Sequence, residues 1–75
     1  MDSTLSLLDT VVATVNLPDH LVLAGDIGAV VLVHTSPSLA YEVEFVNPDG
    51  TTRALLTLAA DQVRRLAPAD MLTTR

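Results

Sequence analysis

The sequence predicts an all-β domain of five short strands, and three observations carry that prediction. Tyr41, Val43 and Phe45 alternate with Glu42 and Glu44, the period-two pattern of a strand with one buried face. Asn47-Pro48-Asp49-Gly50 then interrupts the run with turn chemistry: Pro48 presets φ, Asp49 can bond nearby backbone, and Gly50 accepts the left-handed conformation. Beyond it, Ala54, Leu56 and Leu58 resume period two against Arg53, Leu55 and Thr57, which completes a hairpin from Ala40 to Leu58.

Met1 to Ser6 is expected to be a loose start, with Leu5, Leu7 and Leu8 free either to extend the first strand or to form one helical turn over the core. From Asp9 to Leu17 the chain alternates, placing Val11, Ala13, Val15 and Leu17 on one face of a β-branched strand. Pro18 ends it and opens a long loop through Leu21-Val22-Leu23 to Gly25. Those three apolar residues must fold back on the sheet or meet something else. Gly25 and Gly28 bracket Asp26-Ile27 just before the next strand, where a bend or a close backbone approach is expected. A phosphate loop is not supported, since no third glycine, lysine or following helix accompanies them. Ala29 to Thr35 is apolar on both faces until His34, and Ser36-Pro37-Ser38 turns the chain into the hairpin. Ala59 to Val63 fits a single 3-10 turn, too short for a stable helix. Arg64 to Ala67 is read as the closing strand before Pro68, and Ala69 to Arg75 as a mobile tail whose Met71 and Leu72 can at most cap one end.

Length and charge narrow the functions. The chain is read as one domain over residues 1–75, with flexible ends at 1–6 and 69–75. A domain this small buries only about 60% of its unfolded surface, which leaves little room for a deep cleft. Tyr41 and Phe45 are the only aromatic residues, so valine, leucine and alanine must build the core. Nine carboxylates against four arginines and no lysine give a net charge of −5, a field that repels phosphate. Absence of cysteine fits a reducing cytoplasm. MDSTLSLLD has no basic leader pattern, and no run reaches the roughly 18 apolar residues of a membrane helix. A cytoplasmic protein is expected.

Five strands, a long first loop, a tight central turn and a 3-10 turn before the last strand resemble the SH3-like small barrel. The segment Gly25-Asp26-Ile27-Gly28-Ala29-Val30-Val31 resembles the glycine-rich start of a KOW-type strand. Together LLDTVVATVNLPDH, GDIGAVVLV, AYEVEFVNPDG and TLAADQVRRL are similar to a bacterial domain-of-unknown-function family, over nearly the whole chain. Members tend to be encoded beside a larger, sometimes toxin-like protein. The resemblance implies a partner or antitoxin role and brings no catalytic residue with it.

Chemistry has few candidates. His20 and His34 are the only imidazoles, and a nucleophile–His–carboxylate set would have to use one of them. His20 lies in the loop and His34 at a strand end, with no close ligand pair such as H-x-x-x-H. Asp19, Asp26 and Asp49 stand at turns, where aspartate serves the backbone. Glu42 and Glu44 sit about 7 Å apart on one strand face. Arg53 on the paired strand is available to neutralise them. No cofactor and no metal are expected, and the reading is non-enzymatic.

The outer face carries the functional expectation. With Val11, Ala13, Val43, Phe45, Leu56 and Leu58 inward, Val12, Val46, Leu55 and one face of Ala29 to Val33 point out, joined by Val30 and Leu32. Either the N-terminal leucines or the long loop cover this apolar surface, or it meets a partner, a second copy or another protein, with Glu42, Glu44 and Arg53 as polar rim. The expected function is a protein-binding module, the small cognate partner of a larger protein. A KOW-like nucleic-acid-associated barrel is the alternative, permitted by fold and opposed by charge; a small metal protein or enzyme comes third.

Overall fold

The computed structural model describes residues 4–72. Five strands follow in chain order: β1 (Thr10–Ala13), β2 (Ile27–His34), β3 (Ala40–Val46), β4 (Thr52–Ala59) and β5 (Val63–Arg65).

 The fourth strand, β4, ends at Ala59, and a 3-10 turn at Ala60–Gln62 leads directly into β5 (Val63–Arg65). A five-residue helix, α1 (Pro68–Leu72), follows. All neighbours are antiparallel, and the sheet runs β4-β3-β2-β1-β5, with β4 and β5 as its two edges. No pairing joins those edges among the described residues, so the sheet is open.

The central hairpin forms as its local chemistry dictates. Gly50 takes φ +89°, its amide donates to the Asn47 carbonyl at 2.9 Å, and the Asp49 carboxylate accepts from the amide and hydroxyl of Thr51 at 3.0 and 2.7 Å. Tyr41, Val43 and Phe45 are buried, as their alternation predicts. Across the sheet, Phe45 stands opposite Gly28 and Ala54, Val43 opposite Val30 and Leu56, and Tyr41 opposite Val33 and Leu58. Gly28 is the close approach expected near the start of β2: a Cβ there would lie 2.7 Å from Val43 Cγ1 and 2.8 Å from the Glu44 carbonyl. Leu5, Val11, Ala13, Val22 and Val63 complete the core from the N-terminal segment, β1, the long loop and the closing strand.

Several boundaries differ from the sequence reading. The first strand was expected from Asp9 to Leu17, but its ladder stops at Ala13 because its partner turns away. Gly25 takes φ +96°, and the Asp26 carboxylate accepts the Leu23 amide at 2.9 Å to tighten the Leu23–Asp26 turn. β5 begins at Val63 rather than Arg64, because Val63 supplies the inward apolar side chain opposite Ala13. The 3-10 turn falls where the sequence places it, with the Gln62 side chain accepting the Ala59 amide at 2.8 Å.

Both ends of the described chain are tied to the sheet. Leu5 is buried and its amide donates to the Tyr41 hydroxyl at 3.0 Å. Arg64 holds Asp70 of α1 through two bonds of 2.8 and 2.7 Å. Residues 1–3 and 73–75, the rest of the ends read as flexible, lie outside the described residues, as do the side chains of Met71 and Leu72 expected to cap one end.

Candidate functional site

Two outer-face expectations need correction. Val30 is fully buried, because a bulge between Val30 and Leu32 shifts the phase of β2: Val30 faces Val43 in the core, whereas Leu32 stands beside Glu42 on the outer face. Val12 is 3% exposed although it stands apart from the main core cluster. It occupies an interior strand between Ile27 and Arg64, whose long side chains flank it on that face. Leu32, Val46 and Leu55 are exposed as expected, at 46, 46 and 56%.

Arg53 departs further. It was expected to neutralise Glu42 and Glu44, but a bulge between the Phe45 and Val46 pairings re-aims it. Its guanidinium instead pairs with Asp26 at 3.4 Å, and its Nε is buried without a hydrogen-bond partner. Glu42 is met by His34 at 2.8 Å and Glu44 by the Thr52 hydroxyl. Arg53 lines a shallow depression with Ile27, Val46 and Pro48, and a second one with Pro18, Leu21 and Leu23. Exposed apolar side chains from the long loop, β2 and β3 therefore surround one half-buried cation.

Leu21, Leu23 and Ile27 were absent from the expected outer-face set. In the loop, Val22 is fully buried while Leu21 and Leu23 face out, because a 3-10 turn at Pro18–His20 and a left-handed Leu21 fold only the middle residue inward. Ile27 was recoverable from alternation, since its neighbour Gly28 must face the packed side.

Surface charge is arranged one-sidedly. Arg53, Arg64 and Arg65 pair with Asp26, Asp70 and Asp9, so each described arginine is engaged internally. Asp19, Glu44, Asp49 and Asp61 have no cationic partner within salt-bridge distance among the described residues. The bonds from Arg64 and the Ala67 amide hold the Asp70 carboxyl at a pKa of about 2. The Ser6 amide and Arg65 lower Asp9, and the Thr51 hydroxyl and amide lower Asp49. Among the described residues, no group of three His, Asp or Glu is placed to hold a metal ion, and no helix is long and apolar enough to cross a membrane.

These features define a small all-β domain built on one five-stranded antiparallel sheet, with exposed apolar side chains around a paired arginine. The chain belongs to the family described as Domain of unknown function (DUF4926), which matches residues 7–65. No curated protein and no solved structure matches it.

Proposed function

We propose that the domain is a non-enzymatic protein-binding module, the small cognate partner of a larger protein and its antitoxin where that protein is toxic. The observation that carries the reading is the set of exposed apolar residues, Leu21, Leu23, Ile27 and Val46, gathered around Arg53. Apolar side chains grouped around a half-buried cation resemble the centre of an interface, where apolar anchors and arginine are enriched. As part of the proposal the fold is an SH3-like barrel. The order β4-β3-β2-β1-β5 and the 3-10 turn between the fourth and fifth strands support it.

The experiment is co-purification from the native host with tagged wild type, Val46→Glu and Leu23→Glu. A single protein recovered in stoichiometric amount with wild type and lost from both folded variants is the expected result. Recovery unchanged by both variants overturns the assignment of this surface.

A further inference from the structure

The long edge of the sheet has a property that the apolar patch does not explain. β4 carries eight residues, TRALLTLA, with no proline and one charge, and nothing pairs with its outer side among the described residues. The direction of its backbone groups follows from one bond. The Ala59 amide points away from β3, since it donates to the Gln62 side chain at 2.8 Å. N–H and C=O groups reverse direction at each successive strand residue, so those of Thr57 and Leu55 also point outward. Among the described residues, no loop, turn or side-chain group bonds to either amide. Such an edge is a template for another strand.

A groove runs beside this edge, bordered by Leu17 and His20 of the long loop, by Gln62 of the 3-10 turn, and by Leu55, Leu56 and Thr57 of β4. Asp19 and Asp61, neighbours in sequence of His20 and Gln62, belong to the two turns that border it and have no cationic partner within salt-bridge distance among the described residues. We infer that the open edge of β4 binds an extended segment of a partner protein as a sixth strand, with apolar residues alternating with lysine or arginine. The outward Leu55 and Thr57 amides give backbone recognition, and the leucine-lined groove with its two acidic flanks selects the side chains. A second copy of this chain fits less well, because its own net charge is −5 and its described arginines are already paired.

The inference rests on the reading of the domain as a protein-binding module, and amide exchange separates the two. Unliganded protein is titrated with eight-residue peptides alternating Lys with Val, Ile or Phe. Matched peptides carry Glu in place of Lys, and a third set is N-methylated at every second residue. The expected result is slowed exchange at Leu55 and Thr57 with the Lys peptides, weakening in salt, roughly tenfold weaker binding of the Glu set, and loss on N-methylation. Thr57→Pro, which removes an outward N–H but no bond to β3, should weaken binding without unfolding the domain. Saturating Lys peptide without protection of those amides overturns the inference. So does equal binding of the Glu set, or protection that rises with protein concentration alone. Native-partner capture lost in Val46→Glu but kept in Thr57→Pro overturns the edge assignment and leaves the apolar patch standing.

Discussion

The Tyr41 hydroxyl accepts a hydrogen bond from the Leu5 amide at 3.0 Å, joining the N-terminal segment to β3, an interior strand of the sheet. Both residues are buried, so neither group can exchange its partner for water at no cost. Tyr41→Phe keeps the ring and leaves the Leu5 amide unsatisfied. The expected loss is about 1–3 kcal/mol by urea denaturation. Leu8→Ala, at an exposed position, should change stability by roughly 0.5 kcal/mol or less. Equal effects at the two positions would show that the segment is not anchored through Tyr41.

Phe45 and Gly28 form a matched pair across β2 and β3. The ring is fully buried, and Phe45→Ala should cost on the order of 3–5 kcal/mol through lost burial and a cavity. Gly28→Ala fails for the opposite reason, because the added methyl meets Val43 and the Glu44 carbonyl at under 3 Å. Overpacking of this kind costs about 1–3 kcal/mol. Unfolding midpoints of the two variants test both halves of the argument, and an unchanged midpoint for Phe45→Ala would place its ring outside the core.

The hairpin was legible in the sequence because its signals are local: alternation sets the faces and Asn47 to Gly50 sets the turn. The phase of β2 was not, since Ala29-Val30-Val31-Leu32-Val33 is apolar throughout and gives no alternation from which to locate a bulge. Arg53 was misplaced for a related reason. Strand adjacency suggested Glu42 and Glu44, whereas the bulge turns it to Asp26, a residue distant in sequence. The buried Val22 between exposed Leu21 and Leu23 depends on a left-handed Leu21, which no residue preference announces.

Acid should weaken the fold through carboxylates held ionised by the native structure. Asp70 titrates at about 2 in the fold against an ordinary 3.8, so it binds its proton more readily when unfolded. Its contribution is therefore present above about pH 4 and is lost as pH falls toward 2; Asp9 and Asp49 act in the same direction. The melting temperature should fall between pH 4 and pH 2. Asp70→Asn should lower it at pH 6 and flatten that fall. A parallel acid profile in the variant would show that Arg64 and Asp70 do not contribute through this ionisation.

Nucleic acid should not bind at physiological salt. The net charge is −5, and phosphate contact by any of the three described arginines would require breaking an internal pair. A fluorescence titration with duplex and single-stranded oligonucleotides checks this, and salt-sensitive micromolar binding would refute it.

Charge insertion along the sheet should separate the residues that alternation alone had grouped together. Val46 and Leu55 are about half exposed, and Val46→Glu or Leu55→Glu leaves the new carboxylate in water, with stability expected to change by about 1 kcal/mol or less. Val12 and Val30 are buried, and Val12→Glu or Val30→Glu puts an unpaired carboxyl into an apolar setting, where the penalty runs to several kcal/mol. Melting temperatures of the four variants should therefore fall into two well-separated pairs. The exposed pair alone can then report on association, because a charge that does not unfold the domain still disfavours a desolvated interface. If Val30→Glu melts with the exposed pair, the bulge after Val30 is misplaced and β2 presents its other face; if Val46→Glu melts with the buried pair, the apolar surface around Arg53 is part of the core and the partner site lies elsewhere.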